Sequence, residues 1–398
     1  MGEVASASLV KLARAKETTY GVAPTTGANY NKMRFTGESL SQEVQTVSSN
    51  EIVEGRETAD LIRTDLGAGG SINFELSHGT YDPELAALFH ENTGDYVAGA
   101  AATVASSNIT LTNTVSGDFS SLSSHVGKFC EVVVRASGPG AIEQRVLARL
   151  AHVTSTTSAD FDYMEKALTN ATGKNITITV GGVLTNGVTR QSFTYERSFP
   201  DAENGAGNFA YNTGYSPNSM NLSIAAGSII TGSFDYVGSR ETAATSVVWT
   251  GSQTAATTTK VMNGIDHVVA ILENGVTFRL TKMDLTIGNN LSAHKAIALL
   301  GALELSSEQL AVSGSIQAYF NTKAMFDKFL NFTDTNFVLM FRDDANKCYV
   351  LHLPDVKFTS GKRNASGINQ PVMADLSFGA IKDPTLGKTM KLFSIVSA

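Results

Sequence analysis

Two stretches of this chain repeat one pattern, and that echo constrains the fold more than any other feature. Gly70–Phe89 reads GSINFELSHGTYDPELAALF. Ile72, Phe74 and Leu76 alternate with Asn73 and Glu75, the period of two of a strand with one apolar and one wet face. Thr80 then offers a helix cap, and Pro83 stands where a first helical turn tolerates it. Tyr81, Leu85, Leu88 and Phe89 share one helical stripe. About 244 residues further on, Gly314–Phe332 reads GSIQAYFNTKAMFDKFLNF. Ile316, Ala318 and Phe320 alternate with Gln317 and Tyr319, and Phe326, Phe329 and Leu330 mark a second helix. A strand feeding a short amphipathic helix, twice, predicts a duplicated module; chance likeness of two β-α units is the competing explanation.

The flanking patterns favour duplication because they recur in the same order. In the first copy a strand at Met33–Leu40 leads into a long, charged segment, Ser41–Gly70, predicted as an interaction loop. In the second, Phe278–Ile287 leads into Gly288–Ser313, with a helical stretch at Ala296–Leu303. The first copy closes on a strand pair within Met220–Tyr236. The second passes through a hairpin of Phe337–Phe341 with Cys348–Leu353 and closes on a pair within Asp355–Phe378, from the hairpin Asp355–Ser360 with Pro371–Gly379. Residues 91–192, rich in Thr, Ser, Ala and Val, break this order. Their short strand candidates and turn clusters predict an all-β insertion, a small sandwich outside the module.

The expected organisation is an N-terminal arm (1–30) with a short helix around Leu9–Ala15. A first module follows (31–90 and 193–240), interrupted by the insertion (91–192), then a connector (241–275) and a second module (276–398). The fold class is mainly β with short helices. At 398 residues, with 35 Gly and one Trp, the chain suits several compact units of strands joined by tight turns.

Net charge is −7 and only 17% of residues are charged. A surface that grips nucleic acid needs clustered Lys and Arg, so that class is excluded. Cys130 and Cys348 fall in apolar strand-like runs and read as two buried thiols. The N-terminus lacks the apolar core of a secretion signal, and the longest apolar run, Ala296–Leu303, is far too short to span a membrane. A cytoplasmic origin is therefore expected. Gly67–Gly70 has no Lys-Ser/Thr after it and opens no helix, so it is no phosphate loop. The seven His are scattered, without the paired spacing that seeds a metal site. No catalytic constellation or cofactor motif emerges, which points to a binding or structural role.

Several stretches resemble the major tail tube proteins of long-tailed, siphovirus-type bacteriophages. They are ETTYGVAP at Glu17–Pro24, RFTGESL at Arg34–Leu40, Ser49–Ile52 with Arg56, Gly70–Leu88, and NSMNLSIAAGSIITGSFDYVG at Asn218–Gly238. The likeness covers the first module well and the second more loosely, and the insertion departs from it. It implies twisted β-sandwich modules, each with a flanking helix, whose sheets join edge to edge around a channel. Six-fold rings in such tubes imply three chains per ring for a duplicated subunit, in preference to six. The partners implied are the chain itself, the tape measure, tail terminator and tail tip proteins, and double-stranded DNA in transit without specific binding. No membrane is involved. The place implied is the virion tail, assembled in the host bacterial cytoplasm.

On that basis the wet strand faces line the bore, with Asn73, Glu75, Ser233, Asp235, Gln317 and Asp375 as candidates. The plainer explanation of each is a solvent-facing strand residue. Glu51, Arg56 and Glu57 are candidates for contacts between stacked rings. The rivals are another self-assembling virion or surface β-protein, a decoration protein or adhesin binding a ligand through the insertion, and a β-rich carbohydrate-active enzyme. The enzyme would want clustered aromatics beside paired carboxylates, whereas the one Trp, Trp249, sits in the connector.

Overall fold

The computed structural model describes residues 6–396 apart from 25–26, 28, 92–99, 112, 137–139, 155–156, 201–207, 321–322 and 366. The first half opens with β1 (Lys11–Lys16), β2 (Tyr30–Met33), β3 (Gly37–Glu38), β4 (Ser41–Ser48), β5 (Leu61–Glu75) and α1 (Asp82–Leu88). Six strands then follow: β6 (Ala101–Leu111), β7 (Thr114–Ser116), β8 (Phe129–Arg135), β9 (Ile142–Thr154), β10 (Ser158–Asp162) and β11 (Ala171–Val180). Next come β12 (Gly182–Thr185), β13 (Phe193–Phe199), β14 (Asn208–Ala225), β15 (Thr231–Gly238), β16 (Arg240–Ala244) and β17 (Gln253–Thr254). The second half holds β18 (Val268–Glu273), β19 (Val276–Thr277), β20 (Lys282–Gly288), β21 (Leu291–His294), β22 (Glu304–Ser307) and β23 (Ala311–Tyr319). After these come α2 (Ala324–Leu330), β24 (Thr335–Arg342), β25 (Lys347–Asn364), β26 (Met373–Ala380) and β27 (Lys391–Val396). Among the described residues the chain is mainly β with two short α-helices.

One antiparallel inner sheet runs through both halves in the order β3/β4–β5–β15–β14–β20–β23–β26–β25. The halves meet inside it, where β14 pairs with β20. Behind it lie two smaller outer sheets, β1–β13–β14–β16 and β18–β24–β25–β27. β14 and β25 have 18 residues each and serve both layers. At roughly 3.3 Å per residue each is too long for one short sheet, so it crosses from outer to inner layer. β14 makes the crossing at Gly214, whose φ of 73° favours glycine. β25 crosses next to Pro354.

The two halves match down to their irregularities. β13 and β24 each slip register one step from the start, at Phe193/Tyr195 and Thr335/Phe337. β14 and β25 each carry a bulge just past the crossing, at Pro217/Ser219 and Phe358/Ser360. The echoed Gly-Ser-Ile takes the same place in both sheets, Ser71 opposite Asp235 and Ser315 opposite Ser377. Bulges fix register and bend a strand, so matched bulges give a residue-level equivalence between the halves.

Apolar residues of the inner sheet, among them Ile72, Phe74, Met220, Phe234, Ile316 and Phe378, pack against the outer layer in one core that spans both halves. α1 is buried in it, with Glu84 ion-paired to Arg14 of β1. A buried charge needs such a partner. The segment expected as an arm with a short helix therefore supplies a strand: Leu12, Ala13 and Ala15 are buried by neighbours on both sides, which hides strand alternation.

Three other expectations are corrected. Ser41–Gly70 contains the hairpin β4–β5 rather than one loop; much of its outer part faces solvent on both sides and so lacks apolar alternation. The residues of Ala296–Leu303 form turns, not a helix, and lie on the β21–β22 excursion. Thr80 does not cap α1: Tyr81 is the N-cap, and the Thr80 hydroxyl bonds Ser77 and Thr257 instead.

The insertion strands close on themselves in the order β10–β7–β6–β11–β8–β9, a barrel where a sandwich was expected. Its interior is filled by Val132, Val146, Leu150, Ile176 and Ile178. Phe129 and Leu147 pack on the outside of the second outer sheet, against Leu272, Val338, Met340 and Phe393. β12, which follows the barrel, pairs with β27.

Candidate functional site

The inner sheet has one covered face and one open face. Alternation sends apolar side chains toward the helices and outer sheets, and it leaves the polar set on the other side. The polar set forms continuous rows across the halves. One row reads Glu75–Thr231–Ser223–Asp284–Ser315–Ser377–Ser360. The next reads Gly37–Asn73–Ser233–Asn221–Thr286–Ser313–Gly379–Lys357 and crosses all eight strands. A shorter one joins Lys282, Gln317, Asp375 and Lys362.

Three carboxylates on this face, Asp235, Asp375 and Asp284, are tied down. Asp235 accepts from Ser219 Oγ at 2.7 Å, and Asp375 accepts from Gln317 Nε2 at 3.0 Å. Asp284 accepts from Ser223 Oγ at 2.6 Å and pairs with Lys282 at 2.7 Å. Partial burial pushes the Asp284 pKa up, but the bonds from Lys282 and Ser223 outweigh it and hold the carboxyl below its ordinary value. Lys362 lies 4.0 Å from Asp375. The surface is hydroxylic and net acidic, with each of these lysines beside a carboxylate. Two open grooves cross it, one of about 510 Å³ over Lys282, Gln317, Lys362 and Asp375, the other of about 330 Å³ over Asn73, Asn221 and Ser233. Among the described residues no group of three or more His, Cys, Asp and Glu could hold a metal ion.

Residues 7–380 match the family model described as phage tail tube protein. The chain belongs to the phage tail tube protein family. No curated protein matches it. The family is structural rather than enzymatic, so this tail tube protein is a component of the phage virion that associates with itself in the tail.

The structure brings Asn73, Glu75, Ser233, Asp235, Gln317 and Asp375 onto one face. Asn73 stands opposite Ser233, and Gln317 opposite Asp375. Glu51, Arg56 and Glu57 lie apart from them, exposed between β4 and β5, where Glu57 Oε2 accepts from the Arg56 amide at 2.8 Å. Sequence reasoning missed Asn221, Asp284, Thr286, Lys282 and Lys362 on the same face. For β20 the signal was present, since Met283, Leu285 and Ile287 alternate with Lys282, Asp284 and Thr286. For Lys362 it was not, because the bulge in β25 reverses the parity after Phe358.

Proposed function

We propose that three copies of this tail tube protein join their inner sheets edge to edge into a closed ring, and that stacked rings form the conduit for DNA ejection from a siphovirus-type virion. The junction of β14 with β20 carries this reading. The inner-sheet part of β25 is the equivalent of that of β14, and β3/β4 are the equivalents of β20; these are also the two free edges of the sheet. Repeating the internal junction between copies sets Ser360 opposite Glu43, Lys362 opposite Ser41 and Asn364 opposite Ser39. Closure removes the unpaired edges that otherwise invite uncontrolled pairing. Head-to-tail contacts that repeat one rotation close into a ring.

Eight inner strands per chain give 24 in a ring of three. At a spacing of about 4.8 Å and a tilt of roughly 45°, the backbone diameter is about 50 Å and the bore about 40 Å, wider than duplex DNA. The polar face, with Asn73, Glu75, Ser233, Asp235, Gln317 and Asp375, lines this bore; its other face is occupied by the helices and outer sheets. Acidic and neutral groups leave the DNA phosphates ungripped. The tape measure protein occupies the bore before ejection, and terminator and tip proteins close the ends of a tube assembled in the host cytoplasm. The β4–β5 hairpin exposes Val44, Val47, Leu61 and Ile62, apolar area that a two-stranded ribbon retains stably only when covered. Its tip, with Glu51, Arg56 and Glu57, stacks on the next ring together with the Gly288–Ser313 excursion.

Native mass and top-view electron microscopy test the reading. A ring of three times 42.1 kDa, about 126 kDa, with six similar lobes is expected. Rings of six chains, or a chain that stays single at every concentration, would defeat it.

A further inference from the structure

The two halves bury their helices unequally. Glu84 to Phe89 of α1 are closed off from solvent, and the second outer sheet supplies part of the cover. The Tyr349 hydroxyl donates to Asp82 at 2.5 Å and accepts from the Gly79 amide at 2.7 Å. Leu85 and Phe89 face Phe341, Tyr349 and Leu392 across a gap of about 40 Å³. α2 packs on β25 as α1 packs on β14. Its far side is open: Leu330 and Phe332 are 64% and 58% exposed, and Phe326 and Phe329 are half-buried. Arg363, itself exposed, lies over the Phe326 ring at 4.4 Å.

The internal repeat indicates what belongs there. Stepping from the first half to the second and once more in the same sense leads off the end of this chain, to the first outer sheet of another copy. The matched bulges make Phe199 the equivalent of Phe341, Asn208 of Tyr349 and Ala243 of Leu392. We infer that α2, with Phe332 and Arg363, is the docking surface for the first outer sheet of a second copy of this chain, at Phe199, Asn208 and Ala243, with Arg363 pairing with Glu38.

The charges at the two edges select this occupant. Across the β14–β20 junction Leu222 stands opposite Leu285 and diagonal to Met283. By register Arg363 takes the place of Leu222 and Glu38 that of Met283. An apolar contact inside the chain thus becomes Arg363 at one edge and Glu38 at the other; Glu38 shares Arg197 of its own chain with Glu241, which leaves that edge with a surplus negative charge and favours this docking over self-pairing of like edges.

The inference rests on the ring reading, and one set of proteins separates them. A Ser41→Cys/Lys362→Cys chain reports sheet-edge contact by oxidative cross-linking; the native thiols, Cys130 and Cys348, are buried and silent. On that background Leu330→Asp should fold with unchanged melting, since the position is exposed, and Arg363→Glu should fold with melting only slightly lowered by the lost stacking on Phe320 and Phe326. Each should lower the yield of cross-linked trimer roughly tenfold or more, about 1.4 kcal/mol or more of association, whereas Ile142→Asp on the barrel should not. In a separate Leu330→Cys chain, the introduced thiol should react with a maleimide when single and be protected in rings, which decides the question even if Leu330→Asp misfolds. Trimer yields within twofold of the parent, with a thiol equally reactive in rings, would overturn the docking and leave the ring standing. Absence of any cross-link between the Ser41→Cys and Lys362→Cys positions would bring down both.

Discussion

Thr286 Oγ1 donates to Asn221 Oδ1 at 2.8 Å where β20 pairs with β14, so a side-chain bond on the open face bridges the two halves of the chain. Beside it Ser223 donates to Asp284. The junction is thus an ordinary antiparallel ladder with polar pairs on one side and Leu222 and Leu285 on the other. It shows that one half can complete the sheet of another with full hydrogen bonding and a continuous core. A ring needs only that solution again between copies.

The sheet on the second half's side of the junction depends on close approach at Gly314 of β23. A Cβ there would lie 2.4 Å from the Asp284 carbonyl oxygen and 2.5 Å from the Phe378 ring. Neither can retreat, since one belongs to the paired strand and the other is buried. Gly314→Ala is expected to cost about 1–3 kcal/mol, the usual range for overpacking, and to lower the melting temperature by several degrees. Differential scanning calorimetry at neutral pH checks it; an unchanged transition would mean the sheet is looser here than its register implies.

Charge on the open face should matter to transit and little to folding. Asp235→Lys with Asp375→Lys replaces two carboxylates by cations that reach into the proposed bore. Tubes should still form, and ejection should slow, with the slowing relieved by salt because phosphate contacts release counterions. Ejection kinetics from virions verified to carry both changes, at low and high ionic strength, are the measurement. Identical kinetics would place this face away from DNA.

How much of this was legible depends on how many surroundings each strand has. The echo at Gly70 and Gly314 was readable because Ile72, Phe74, Ile316 and Ala318 each see one dry and one wet side. β1 was not, because Leu12 and Ala13 are buried on opposite sides. Outer β4–β5 was not either, because Val44 and Val47 are wet whichever way they point. Of the open face, six members were readable from alternation, and Lys362 was hidden behind a bulge. The pairing of α1 with Tyr349, 267 residues along the chain, has no local signal at all.

The barrel is held to the second half by buried charges as well as apolar contact. Glu131, fully buried, pairs with Arg145 at 2.6 Å and with Arg342 at 3.4 Å, and Arg342 also reaches Glu165 at 2.8 Å. Arg342→Met keeps the volume and removes the charge that serves both carboxylates. Breaking one member of a buried network costs about 3–5 kcal/mol, so a large loss of stability is expected. A compensating Glu131→Gln in the same chain should recover part of it. Equal melting of single and double variants would show that Arg145 alone satisfies Glu131.

Acid should loosen the joints between layers before it unfolds the strands. His78 stacks on Tyr349 with ring centres 4.3 Å apart and bonds Ser394 Oγ at 3.1 Å, and burial lowers its pKa to about 4. His352 packs edge-on to Phe129 of the barrel at 5.5 Å, and burial lowers its pKa to about 3. A histidine held neutral in the folded state and free to titrate near 6.5 when unfolded gives stability that is complete above 6.5. That stability drains away as pH falls through the folded value. The slope is about 1.4 kcal/mol per pH step for each histidine, so by pH 4 each withdraws about 3 kcal/mol. His352→Phe removes one of these sinks while keeping an aromatic ring against Phe129. Its melting temperature should therefore fall less steeply than the parent's between pH 6.5 and 4, and the two should converge above pH 7. Parallel curves across that window would mean that His352 is already charged, or already wet, in the folded protein.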